Sequence, residues 1–341
     1  MSTRLPAEWE TQDAVIIAWP HVNSDWQPTL SQAHTCYIDI CQQLSKAVAL
    51  IVVVPQGRSS DVRVQIGDTG KHPITLVELP YNDTWARDFG PITVYKNNRP
   101  TILDFQFNGW GNKFTAELDN AINRQLSTLG ILGNTPVKTL PLILEGGAIE
   151  SDGNGTLLTT SQCLFNPNRN PSLSQDDIEA QLRENLGVHT IHWLQHGYLA
   201  GDDTDSHIDT LARLCPNNTI TYVQCDDHTD EHYTELAAMK AELSALRTTD
   251  GKPYTLIPLP WPKAVFDSKG ARLPATYANF LISNGTVFVP IYGDNNDTLA
   301  LQQVAIAFPE HTITAINCLA LIQQHGSLHC ITMQLPRGVL S

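Results

Sequence analysis

The sequence predicts an α/β protein organised as a single domain over residues 1–341. Three observations predict this. Short apolar runs alternate with amphipathic helical patterns along the chain. No Pro/Gly/Ser-rich linker or low-complexity tract interrupts the alternation. Hydrophobic residues make up 42% and charged residues 16%, a globular composition with enough apolar residue for a large core.

The strand-like runs are Ala14–Trp19, Leu50–Val54, Thr75–Leu79, Thr101–Phe105, Thr156–Thr160 and Thr190–Leu194. They continue with Thr219–Val223, Tyr254–Leu259, Phe280–Ser283, Val287–Ile291 and Leu328–Met333. Each is short, apolar and bounded by turn-forming residues. Five helical patterns lie between them. Leu30, Ala33, Tyr37, Ile40, Cys41, Leu44 and Val48 share one helical face. Leu118, Ile122, Leu126 and Leu129 repeat the spacing. A third helix starts after Ser174 as N-cap, carries Ile178, Leu182 and Leu186, and stops at Gly187. A fourth carries Leu236, Met239, Leu243 and Leu246. The fifth carries Leu301, Val304, Ala305 and Phe308 and ends at Pro309.

The formal net charge is −14 and no Lys/Arg cluster is present, which argues against nucleic-acid binding. An acidic surface suits a cationic small molecule, although solubility explains it equally well. Seven cysteines, Cys36, Cys41, Cys163, Cys215, Cys225, Cys318 and Cys330, are scattered without a C-x-x-C pair. That spacing signals neither a zinc knuckle nor a dithiol, and a chain of this length needs no disulfide framework. The first residues carry no apolar run of an export signal, and no stretch approaches the ~20 residues of a membrane span. The expectation is a cytoplasmic protein with no membrane partner.

Polar, glycine-associated clusters recur at intervals of about 50–70 residues, which suggests a repeated strand–helix unit whose strand ends meet. They are Asn82–Asp88, Glu145–Gly147, Gly201–Asp209 and Gly326–Cys330, with Asn279 at an intermediate step. Brought together they supply a thiol (Cys330), an imidazole (His207), carboxylates (Asp88, Asp209, Glu145) and an indole (Trp85). A thiol needs a base or a lowered pKa to become a strong nucleophile, and His207 supplies the base. Carboxylates are poor company for a thiolate unless the substrate is a cation. A guanidinium pairs bidentately with carboxylates, and an indole covers its flat face. His207 and Asp209, two apart, would face one side of a strand. Trp85 and Asp88, three apart, fit one turn.

The segments Asn82–Pro91 (NDTWARDFGP), Leu144–Gly147 (LEGG), Gly201–Asp209 (GDDTDSHID) and Gly326–Thr332 (GSLHCIT) together resemble the agmatine deiminases. These belong to the bacterial-type peptidyl-arginine deiminase family of the guanidino-group-modifying superfamily. The resemblance runs from about Trp9 to the C-terminus. It implies a pentein-type fold, a five-bladed α/β propeller with pseudo-fivefold symmetry. It implies hydrolysis of agmatine to N-carbamoylputrescine and ammonia in putrescine biosynthesis, with no metal or organic cofactor. It assigns Cys330 as nucleophile, His207 as general acid/base, and Asp88 and Asp209 as guanidinium-binding carboxylates. Trp85 and Glu145 take substrate-site positions, and Asp203 an acidic position near the substrate's far end. Ser206 and His325 stand where the family pattern has glycine. A homo-oligomer is left open.

Rival readings remain. A cysteine near a C-terminal strand is ordinarily core. Glu145 could simply hold its Gly-Gly turn. Trp19 and Trp110 could line the mouth of the site, but an aromatic next to glycine, as in Gly109-Trp110-Gly111, is as often packing. His329, beside Cys330, would point to the opposite face of a strand and reads as structural. His228 and His232 are i,i+4 and would share a helical face as metal ligands do, which points to a metal-dependent hydrolase. The other substrate alternatives are peptidyl arginine and free arginine.

Overall fold

The computed structural model describes residues 2–67 and 70–341. Among them, five sheets of three or four strands share one pattern: an antiparallel pair followed by a parallel neighbour. The first joins Thr332–Pro336, Gln12–Ala18, Ala49–Val54 and Ile74–Glu78. The second joins Thr3–Arg4, Ile92–Lys96, Arg99–Gln106 and Val137–Ile143. The others are Ile149–Ser151 with Thr156–Thr160 and Thr190–Leu194, then Ala212–Cys215 with Thr219–Val223 and Thr255–Leu259, then Leu281–Ser283 with Thr286–Ile291 and Thr312–Asn317. A small hairpin pairs Val265–Phe266 with Arg272–Leu273.

Parallel neighbours need a crossover, and a helix supplies it in each sheet. The crossovers include Leu30–Leu44, Ile122–Thr128, Gln175–Leu186, Tyr233–Ala245 and Asp297–Ala307. Ser174 forms the expected N-cap, with a capping box to Asp177, and Gly187 ends that helix in the left-handed conformation at φ 72°. The central strands are buried on both faces, as in Ile16, Ile17, Val52 and Val53, so their sequences read as continuous apolar runs. One continuous hydrophobic cluster extends from Ala14 to Val339.

The predicted strands at 156–160, 190–194 and 219–223 coincide with the observed ones. Three expectations are corrected. Leu328–Ile331 is a turn, and the strand begins only at Thr332. His207 and Asp209 lie at a single turn of 3-10 helix, Ile208–Thr210, not on a strand. His228 and His232 both precede the helix that starts at Tyr233, so they share no helical face. His232 Nδ1 pairs instead with Asp230 at 2.7 Å, and its Nε2 accepts from Ala200 N at 2.8 Å. The second helical pattern is also shorter than predicted: Leu118 and Leu129 are exposed, while Ile122 and Leu126 are buried.

One topological fact positions the site. Each connection from the last strand of one sheet to the first of the next carries a chemically useful group. These groups are Asp88, Glu145, the His207/Asp209 pair, Asn279 and Cys330.

Candidate active site

Asp88 sits in the short helix Ala86–Phe89, directly after Trp85. Both of its oxygens are occupied. Oδ1 accepts from Gly147 N at 3.0 Å, and Oδ2 accepts from Trp110 Nε1 at 2.9 Å. Gly147 is glycine because nothing larger fits: a Cβ there would lie 2.6 Å from His207 Nδ1 and 2.8 Å from Asp88 Oδ1. Gly326 meets the same demand against Trp85, whose ring would be 2.1 Å from a Cβ. Trp110 is held between Gly109 and Gly111 with all three at positive φ, a tight turn that delivers its indole to Asp88.

His207 is 1% exposed and lies between two carboxylates. Its Nδ1 is 3.5 Å from Asp88 Oδ1 and its Nε2 3.5 Å from Glu145 Oε2, ion-pair distances. Glu145 is held from behind by Arg169 Nε at 2.9 and 2.8 Å, and Arg169 is fixed by Asp205 at 2.7 Å. Cys163 Sγ is 3.7 Å from Glu145 Oε2. Asp209 Oδ2 accepts from His329 Nδ1 at 2.7 Å, whereas its Oδ1 is buried without a partner. Cys330 Sγ lies 4.0 Å from Asp209 Oδ2 and 3.3 Å from Asn279 Oδ1. Asn279 Oδ1 also accepts the backbone N–H of His329 at 2.9 Å and of Cys330 at 3.2 Å, which pins the turn carrying Cys330.

These contacts set the protonation states of the empty site. Burial pushes the Cys330 thiol well above its ordinary range, and the negative charges of Asp209 and Asp88 push it further. Burial also raises Asp88, only partly offset by His207, to about 6. For His207 burial acts downward, but the charge of Asp88 together with Cys163 and Glu145 outweighs it and holds the imidazole well above its usual value. Burial works against the charged form of Glu145 too, but His207 and Arg169 outweigh it and lower the group. Asp209 is likewise lowered against its burial, chiefly by the His329 hydrogen bond and charge.

A cavity of about 170 Å³ opens above Cys330. Its lining includes Trp85, Asp88, Trp110 and Phe114 together with Asp25, Asp83, Asp202, Asp203 and His325. Among the described residues, no Lys or Arg lines it. Trp85, Asp88, Asp203 and Cys330 thus reach the cavity itself, while His207, Asp209 and Glu145 are buried beside it. Ser206 and His325 both adopt positive φ, 65° and 67°, the conformation that favours glycine. The His325 ring takes the space a glycine would leave open: its Nδ1 lies 2.7 Å from Gly201 O and 3.9 Å from Asp203.

Sequence reasoning gave no role to Asn279, Arg169 or Cys163, and it treated His329 as structural. Of the two tryptophans it offered for the mouth of the site, Trp110 lines the cavity and Trp19 does not. Asn279 carried a signal, its place in the repeat.

A deeply buried thiol, an imidazole and paired carboxylates gather at a small acidic cavity, an arrangement suited to a cationic substrate. The family model for Porphyromonas-type peptidyl-arginine deiminase matches residues 4–336, and the chain belongs to that family. A structure named as the putative arginine deiminase from Porphyromonas gingivalis is 47% identical, with a TM-score of 0.91, over 98% of this chain and 99% of that one. A substrate-bound Cys-to-Ser variant of C. jejuni agmatine deiminase is 37% identical, with a TM-score of 0.92, over 98% of this chain and 97% of that one. A relative from Vibrio parahaemolyticus named putative agmatine deiminase is 33% identical over 97% of this chain and 96% of its own length. A dimethylarginine dimethylaminohydrolase and a Microseira wollei amidinotransferase, at 12% and 11% identity with TM-scores of 0.53 and 0.56, share the fold.

Proposed function

We propose that this chain hydrolyses agmatine to N-carbamoylputrescine and ammonia, with Cys330 as nucleophile. The observation that carries the substrate is the cavity wall. Five aspartates in the lining, Asp88 beside Cys330 among them, and no Lys or Arg among the described lining residues suit a molecule with a guanidinium at one end and an ammonium at the other. The α-carboxylate of free arginine would enter that wall against like charge. The 47% identity to a structure named for arginine keeps arginine in the test as the competing substrate.

The bound guanidinium supplies the positive charge that the thiol lacks in the empty site, so binding favours the Cys330 thiolate. The thiolate attacks the guanidinium carbon while Asp88 and Asp209 hold its N–H groups. His207, kept cationic by its carboxylates, gives its proton to the departing nitrogen. Ammonia leaves and an amidino-thioether stays on Cys330. The neutral His207 then takes a proton from water, the resulting hydroxide adds to the same carbon, and the C–S bond breaks as the hydroxyl proton passes to the departing Cys330 sulfur, which releases the urea product and restores the thiol. Glu145 orients His207, and Trp85 covers the substrate's flat face.

The five sheets with one strand pattern support a further reading, that they are blades about a pseudo-fivefold axis within one catalytic domain, residues 1–341. The test is ammonia release from agmatine, arginine and a capped peptidyl-arginine, with mass spectrometry of acid-quenched enzyme. Agmatine should be preferred, and an amidino adduct should map to Cys330. Preference for arginine, or an adduct on another residue, would sink the proposal.

A further inference from the structure

The two oxygens of Asp209 are not equivalent. Oδ2 accepts from His329 Nδ1 at 2.7 Å, while Oδ1 is buried with no partner at all. An ionised carboxylate only accepts, so the proton of that bond sits on His329 Nδ1. A buried carboxylate oxygen without a donor costs stability unless a ligand supplies one.

His329 is itself held on several sides. Its Nε2 lies 2.6 Å from Glu8 Oε2 and 3.1 Å from Arg213 Nη2. Glu8 is anchored in turn by Ile282 N at 2.7 Å and by Arg213 at 3.1 Å. The backbone N–H of His329 donates to Asn279 O at 3.1 Å and Oδ1 at 2.9 Å. The ring is 1% exposed. Its neighbour in the chain is the nucleophile, whose own N–H uses the same Asn279 oxygen.

We propose that His329 is a positioning residue for Asp209: it occupies Oδ2 and so leaves Oδ1 aimed at the substrate's guanidinium. This rests on the deiminase reading above. Without the histidine donor, Asp209 can rotate and its two oxygens become interchangeable. The fixed chain Glu8–His329–Asp209 gives the carboxylate a single orientation before substrate arrives, so none of the binding interaction is lost in ordering it.

The alternative is that His329 merely fills the core and balances buried charge. Two near-isosteric variants separate the readings. His329→Asn keeps an N–H donor at the Nδ1 position and drops the contact with Glu8. His329→Gln places its donor at the Nε2 position and drops the contact with Asp209. Both are scored on whichever guanidinium substrate the wild type turns over, so a wrong substrate assignment leaves the comparison intact.

His329→Asn should keep kcat/KM within about threefold of wild type, and His329→Gln should lose about 10–100-fold, the range of one hydrogen bond to a charged group. The split between KM and kcat is the second readout. Asp209 holds the substrate, so His329→Gln should raise KM more than it lowers kcat, and His329→Asn should leave both near wild type. The acid limb follows Asp88, which titrates at about 6, above the lowered Asp209, and so stays in place in both variants.

Equal losses in both variants, or a His329→Gln loss confined to kcat, would overturn the proposal, as would a His329→Gln enzyme with wild-type kinetics. If His329→Gln does not fold, Glu8→Gln takes its place. Loosening His329 from behind should raise KM about threefold or more, and an unchanged KM would overturn the proposal equally.

Discussion

Replacing Trp110 with phenylalanine removes one hydrogen-bond donor from Asp88 and little else. The indole packs edge-on against Phe107 at 5.0 Å and Phe114 at 5.6 Å, contacts that a phenyl ring largely keeps. The Nε1–H donates to Asp88 Oδ2 at 2.9 Å, and that bond is lost. Burial, opposed by His207 and Trp110 and reinforced by Asp209 and Glu145, sets Asp88 at about 6. A hydrogen bond to a charged group contributes about 1.5–3 kcal/mol, or roughly 1–2 pKa units. The donor favours the ionised carboxylate, so its removal raises the pKa, to between about 7 and 8. Cation binding needs the ionised form, so activity is lost as pH falls through the new value and recovers above it. At pH 7 the ionised fraction drops from about nine-tenths to between roughly one-half and one-tenth. The assay is kcat/KM by ammonia release from pH 5 to 9.5, since this ratio reports the free enzyme. Wild type should show an acid limb near pH 6, and Trp110→Phe a limb one to two units higher, with rates converging at high pH. A uniform loss at every pH with an unmoved limb would refute the reasoning and leave Trp110 a packing residue.

Two other substitutions probe the frame of the site. Gly147→Ala places a methyl 2.6 Å from His207 Nδ1 and 3.2 Å from Asp209 Oδ2, so kcat/KM should fall more than about 100-fold while circular dichroism stays native; near-normal turnover would show that the site tolerates that displacement. Arg169→Met takes from Glu145, 0% exposed, the closer of its two counter-charges and leaves only His207, and urea unfolding should show about 3–5 kcal/mol lost. A loss below about 1 kcal/mol would mean that the pair does not hold this wall together.

The candidate site was legible because its residues come in consecutive clusters around glycines. Asp88, His207, Asp209 and Cys330 could be picked out before any contact was known, and the structure brings them together, Asp88 and Cys330 in the cavity lining and His207 and Asp209 buried beside it. Buried central strands such as 156–160 and 219–223 could be delimited because apolar β-branched runs end at turn residues. Short hairpin partners such as Ile149–Ser151 carry too few residues to show a period. The segment from Leu328 to Ile331 has the apolar content of a strand, yet its backbone is bent into a turn by Asn279, about 50 residues away, and no local pattern encodes that. The same limit applies to Trp110, Arg169 and His329. Their roles are contacts with Asp88, Glu145 and Asp209, and those partners are far off in sequence.

The strand that leaves Cys330, Thr332–Pro336, pairs antiparallel with Gln12–Ala18, about 300 residues earlier, an extreme of sequence separation for a sheet contact. In a chain made from its N-terminus, Gln12–Ala18 can pair with Ala49–Val54 early, but its other edge stays open until Thr332–Pro336 is made. A nascent chain halted before this point already holds Asp88, Glu145, His207 and Asp209, but it has neither the thiol nor the strand that covers that edge. On the proposed mechanism, catalytic competence therefore arrives in the same step as protection from edge-to-edge aggregation. A truncated product would be both inert and adhesive, a species that cellular quality control can recognise by its bare edge alone.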